Sequence, residues 1–77
     1  MGLAVFGAGQ DDLRLVAEVR SFVISELRRR CRADLVDDAV LVATELATNA
    51  VLHAGGMAAV RVDTIEGGVR IEVHDRT

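Results

Sequence analysis

Glu45, Asn49 and His53 recur every fourth residue in the run Glu45-Leu46-Ala47-Thr48-Asn49-Ala50-Val51-Leu52-His53-Ala54. On a helix that spacing stacks a carboxylate, an amide and an imidazole along one face, each a turn from the next. Together they can do coherent chemistry. A carboxylate orients or deprotonates a water or hydroxyl nucleophile. An amide oxygen is a hard ligand suited to Mg²⁺, which takes few protein ligands and fills the rest from water and phosphates. An imidazole one turn further on can contact phosphate or cap the site. The same three groups also suit a buried hydrogen-bond cluster that fixes helix packing. Spacing alone leaves both readings open.

The element that must carry them is a helix over residues 35–54. Asp34 is its expected N-cap, Asp37 lies in its first turn, and Gly55-Gly56 is a stop signal. Each residue turns ~100° around the axis. Val36, Ala39, Val40, Ala43, Leu46, Ala47, Ala50, Val51 and Ala54 then make one broad apolar face, and its alanines allow close approach by another element. Asp38, Glu45, Asn49 and His53 fall on the opposite side, within about 80° of one another. Leu41, Val42 and Leu52 border this stripe, where a solvated stripe is more often bordered by Lys, Glu or Arg. The polar groups are therefore candidates for a pocket lining.

The rest of the chain reads as a scaffold for that helix. Residues 3–6 (Leu-Ala-Val-Phe) suit a short strand, and Gly7-Ala8-Gly9-Gln10 breaks regularity. Asp11 or Asp12 can cap a helix running to about residue 31, with Leu15, Val16, Val19, Phe22, Val23 and Leu27 at helical spacing. Glu26 and Arg30 form an i, i+4 pair on it. Residues 58–75 alternate as two strands: Val60 and Val62 against Arg61 and Asp63, then Val69, Ile71 and Val73 against Arg70, Glu72 and His74. Glu66-Gly67-Gly68 supplies the turn. The expected fold is α+β, a two-layer sandwich of two helices on an antiparallel β-hairpin plus a short N-terminal strand.

At 77 residues, 51 % hydrophobic and 27 % charged, the chain is one small domain or part of one, and too apolar for disorder. Apolar runs are short and broken by charge, so no membrane span is expected. No basic-then-apolar leader opens it, so secretion is not expected. The lone Cys31 excludes an internal disulfide, and no Cys/His cluster suggests zinc. A domain this small commonly relies on disulfides, metal or a partner, which makes a partner chain plausible. A net charge of −3 gives no bulk attraction to nucleic acid. The run Arg28-Arg29-Arg30-Cys31-Arg32 reads as a solvated helix end that complements the helix dipole. Cys31 reads as a partly buried structural thiol on the first helix's apolar edge. Gly7-Ala8-Gly9 opens like a dinucleotide fingerprint, but its third glycine would fall at Asp12 and a helix, not a strand, follows; it reads as a connector.

The pattern Glu-x-x-x-Asn-Ala-x-x-His-Ala over Glu45–Ala54 resembles the N-box of the GHKL ATPase superfamily, which includes DNA gyrase B, mismatch-repair ATPases and histidine kinases. With Asp37-Asp38-Ala39 before it and Val73-His74-Asp75 ending a hairpin after it, the chain from about residue 11 is most similar to anti-sigma factor serine/threonine kinases and their ATP-binding actinobacterial relatives. The resemblance implies a truncated histidine-kinase-type ATPase fold, with residues 1–77 the N-terminal part of one ATP-binding domain that lacks the ATP lid and the later glycine-rich box. It implies ATP and Mg²⁺ as cofactors. Glu45 would match the candidate general base, Asn49 the Mg²⁺ ligand, and His53 the N-box's last polar position near phosphate or ribose. Asp75 would match the aspartate that accepts a hydrogen bond from the adenine amino group. It further implies a cytoplasmic regulator of transcription, with a sigma factor or an antagonist protein as partner. It also implies a homodimer, with strand exchange between copies as one route. A non-enzymatic dimerisation or interaction module that has lost nucleotide binding is the alternative.

Overall fold

Leu15, Val19, Val23 and Leu27 recur every fourth residue, and all four are buried. They form the inner stripe of α1 (Leu13–Arg29), flanked by the half-buried Val16 and Phe22, which pack against the same core. In this computed structural model, residues 2–5, 13–53 and 55–76 are described. The other elements are β1 (Gly2–Val5), a 3₁₀ turn (Ala33–Leu35), α2 (Val36–His53), β2 (Met57–Ile65) and β3 (Gly68–Asp75). The strands form one antiparallel sheet in the order β1-β2-β3. Both helices lie on one face of it, α1 over β1 and β2, α2 along β3. This is the α+β two-layer arrangement the alternation of residues 58–75 predicts.

The core lies between the layers. Ala39, Ala43, Ala47 and Ala50 line the inner face of α2, and Met57, Val60 and Val62 rise from β2. Burying a Leu or Val side chain of this kind contributes roughly 1.5–3 kcal/mol. Small side chains on α2 let it approach α1 closely. Leu46, assigned to that apolar face by its helical angle, is 39 % exposed instead. It lines the open groove between α2 and β3 beside Val73, while the alanines take the buried seam.

Two features of α1 differ from the sequence reading. The helix stops at Arg29, and Cys31 is exposed rather than seated on the apolar edge. The reason is the helix end. Cys31 has φ +58°, the left-handed conformation. The Arg32 N–H then reaches back to the Leu27 carbonyl (2.8 Å) and the Cys31 N–H to the Arg28 carbonyl (3.1 Å). This pair of bonds is the Schellman closure, with cysteine at the position glycine usually takes. Asp34, expected to cap the next helix, instead sits in the 3₁₀ turn, where its carboxylate accepts from Arg32 (3.1 and 3.2 Å). The proposed caps Asp11 and Asp12, the Gly7-Ala8-Gly9 connector, Phe6 and Ala54 lie outside the described residues.

The arginine run is absorbed by the fold. Arg29 pairs with Glu26 at 2.8 Å and Arg32 with Asp34. Arg30, its side chain largely buried, meets Glu26 at 3.2 Å as the i, i+4 spacing predicts, and also donates to Thr64 Oγ1 (2.9 Å) and the Val62 carbonyl (3.1 Å). A β-carbon on Gly2 would run into the Glu26 carboxylate, so β1 passes this cluster at glycine. The outer face of the sheet carries a second charge array. Asp63 accepts from Arg70 (3.3 Å) and lies 2.9 Å from Arg61 Nε, which is angled away from a hydrogen bond. Glu72 contacts Arg70 and His74, each at 3.1 Å. Among the described residues, no helix is long and apolar enough to cross a membrane.

Candidate functional site

The end of α2 and the end of β3 are fastened together by backbone. Gly55 and Gly56 both hold positive φ (76° and 106°), which a side chain would resist. Gly56 donates its N–H to the Ala50 carbonyl (2.9 Å) and accepts from the Arg76 N–H (3.1 Å). The chain can therefore turn straight from α2 into β2 while holding the last residues of β3 beside the turn. A bulge in β2 between Met57 and Ala59 pairs Met57 with Asp75 and Ala59 with His74. Bulges commonly re-aim a side chain in this way.

The consequence is a shared groove. Asn49 and His53 from α2 and Asp75 from β3 line one open groove of about 250 Å³, together with Leu46, Ala50 and Val73. Its wall is apolar, and its polar groups are an amide, an imidazole and a carboxylate drawn from two separate elements. His74, between Val73 and Asp75, turns to the opposite face and meets Glu72. Glu45 is outside this groove. It lies one turn back, in an adjoining depression of about 340 Å³ with Thr44, Thr48 and Asn49. Asn49 is common to both and links them. Thr44 is committed to its own helix, donating to the Val40 and Leu41 carbonyls (2.8 and 3.1 Å).

Asp38, on the same polar stripe, goes elsewhere. It borders a third groove of about 260 Å³ at the start of β3, with Leu35, Ala39, Val42, Gly68, Val69 and Ile71. The stripe therefore divides along the helix: its C-terminal half faces Asp75 and its first residue does not. Leu46, an unspecified position within the motif, and Val73, outside it, are the apolar walls beside Asn49 and Asp75 that the motif does not single out. The alternation of β3 is the signal for Val73, two residues before Asp75 on the same face.

Among the described residues, no three His, Cys, Asp or Glu side chains gather as a metal site. The donor set beside Asn49 and Glu45 fits a hard cation that arrives with phosphates and water as its main ligands, not one caged by protein. No family model, curated protein or solved structure matches this chain.

Proposed function

We propose that this chain is an ATP-binding regulatory protein of the anti-sigma kinase type, with the nucleotide base in the groove between α2 and β3. The observation that carries the reading is the meeting of Asn49, His53 and Asp75 in that one groove. In this reading Asp75 accepts a hydrogen bond from the adenine amino group, a donor guanine lacks at that position. Val73 and Leu46 pack the base. Asn49 gives one oxygen to Mg²⁺ carried by the phosphates, and His53 approaches the phosphates or ribose. Glu45, one turn outward, would take the proton of a serine hydroxyl on an antagonist protein as that oxygen bonds to the γ-phosphorus of ATP and the β–γ bridging bond breaks to release ADP. The setting would be cytoplasmic control of transcription, with a sigma factor as binding partner.

Calorimetric titration with Mg·ADP and Mg·GDP tests this. Binding of ADP in preference to GDP, lost in Asp75→Asn and made Mg²⁺-independent in Asn49→Ala, is the expected result. A folded chain that binds neither nucleotide overturns it.

A second reading has its own observation. Leu41, Val42, Leu46 and Leu52 on α2 are between 39 % and 59 % exposed. An aliphatic border of this extent also suits a non-enzymatic interaction module. Association without any nucleotide response would favour that reading.

A further inference from the structure

We propose that the Arg76 N–H and the Gly56 carbonyl form a latch that sets the purine preference of the α2–β3 groove, with Gly56 as a positioning residue for Asp75. The inference rests on the nucleotide reading above and adds to it the source of its specificity. Asp75 is the last residue of β3, and its pairing with Met57 ends the β2–β3 register. The end of a strand is where ladder pairing holds a residue least and local opening costs least. The Arg76 N–H, bonded to the Gly56 carbonyl at 3.1 Å, carries the pairing one residue further and fixes the peptide that follows Asp75. Gly56 is tied to the opposite wall as well. Its N–H donates to the carbonyl of Ala50 (2.9 Å), which lies in the groove beside Asn49. One residue thus joins, through backbone alone, the helix that carries Asn49 and His53 and the strand that carries Asp75. It is buried at φ 106°, where a side chain would be strained.

Such a device acts on selection rather than on anchorage. At the edge where adenine presents its amino donor, guanine presents a carbonyl acceptor. Telling them apart therefore depends on where the Asp75 carboxylate stands. Hydrogen bonds hold only over about 2.7–3.2 Å and weaken steeply off line. A carboxylate released to swing by ~1 Å loses adenine without gaining guanine. The groups assigned to Mg²⁺ and phosphate, Asn49 and His53, stand on α2 and do not move with the end of β3. Opening the latch should therefore cost adenine nucleotides their advantage and leave intact what the two nucleotides share. Coupling of this kind is reciprocal: if the closed latch favours ADP, bound ADP holds the latch closed by the same factor.

Calorimetry with Mg·ADP and Mg·GDP on the 77-residue chain and two variants tests the latch. Arg76→Pro removes the N–H at an exposed position after β3 and keeps Asp75 extended, as the residue before a proline prefers. Arg76→Ala keeps the N–H and removes the side chain. Arg76→Pro should remain folded by circular dichroism, bind Mg·ADP about threefold to tenfold more weakly and bind Mg·GDP as before. Arg76→Ala should keep the preference for ADP. Equal losses for both nucleotides in Arg76→Pro, or a loss that Arg76→Ala reproduces, overturns the proposal. Residue-resolved hydrogen exchange needs no variant. Saturating Mg·ADP should slow exchange of the Arg76 amide about threefold to tenfold, and an unchanged rate overturns the latch. A folded, unsubstituted chain that binds neither nucleotide overturns the nucleotide reading itself, whereas an ADP preference indifferent to Arg76→Pro removes only the latch.

Discussion

Arg30, one residue past the end of α1, donates to the carbonyl of Val62 in the central strand at 3.1 Å. Its guanidinium also holds Thr64 of the same strand and Glu26 of α1, so one side chain ties the helix end to the sheet at two points and to its own helix at a third. Its side chain is 9 % exposed, so these contacts are largely shielded from water.

Arg30→Ala should therefore destabilise the fold by roughly 1–3 kcal/mol, since it removes the donor to the Val62 carbonyl and to Thr64 and leaves the Glu26 carboxylate with Arg29 alone. Arg30→Lys should recover less than half of this, because an ammonium cannot span the same fork. Urea unfolding followed by circular dichroism measures both.

Acid stability should depend on the same cluster. The Arg29 hydrogen bond, then that of Arg30, holds the Glu26 carboxyl below its ordinary value against the opposing effect of burial. At Asp63 desolvation pushes the other way, but the Arg70 hydrogen bond and the charges of Arg61 and Arg70 outweigh it, and this carboxyl too is held low. A depressed folded-state pKa stabilises above the unfolded value and loses that contribution as pH falls through the folded one. The urea midpoint should be flat above about pH 5 and fall below about pH 4. Glu26→Gln should lower the neutral midpoint and flatten the acid limb. An acid limb unchanged in that variant would assign the effect to other carboxylates.

Cys31→Gly should raise stability by about 0.5–1.5 kcal/mol. The left-handed residue at the helix end is strained for any side chain and not for glycine. Differential scanning calorimetry should show a rise of several degrees in Tm, on the order of 4–8 °C per kcal/mol for a domain of this size. Cys31→Ala keeps the β-carbon and should show no such rise.

Ala43→Leu should cost roughly 1–3 kcal/mol. Ala43 is fully buried at the seam of α2, and added methylenes there force the layers apart. Denaturant titration checks it, and a neutral result would mean the seam has room the packing does not show.

Asp75→Asn should leave stability within about 0.5 kcal/mol, as expected of an exposed side chain. Its effect should appear in binding. Loss of a charged acceptor for the adenine amino group should weaken Mg·ADP about tenfold to a hundredfold, or 1.4–2.7 kcal/mol, without a matching loss for Mg·GDP.

Much of this architecture was legible before any coordinates. The period of Leu15, Val19, Val23 and Leu27 and the alternation of Val69, Ile71 and Val73 place the layers, because burial demands a single face from each element. The helix spanning 35–54 was read to within a residue of Val36–His53, since double glycine leaves little room for continuation. Cys31 was misread because nothing in a run of arginines announces a left-handed residue. That conformation is imposed by how the Arg32 N–H must close on Leu27. Leu46 differs because a helical angle says which way a side chain points, not how closely the neighbouring strand packs there. In the candidate site, the spacing of Glu45, Asn49 and His53 was visible. The placement of Asp75 beside only two of them depends on the Gly56 bonds and the bulge, which are tertiary.

The alanine seam of α2 has a thermodynamic consequence. Ala39, Ala43, Ala47 and Ala50 have no rotamers to surrender when the layers close. A chain of 77 residues has little interior volume in which to recover such losses. By meeting α1 with methyl groups, this helix docks with almost no ordering of its own side chains. Its inner face is seated by proximity rather than interlock, and the side chains that have rotamers to lose, Leu41, Leu52 and Glu45, stand on the outer face, exposed to water.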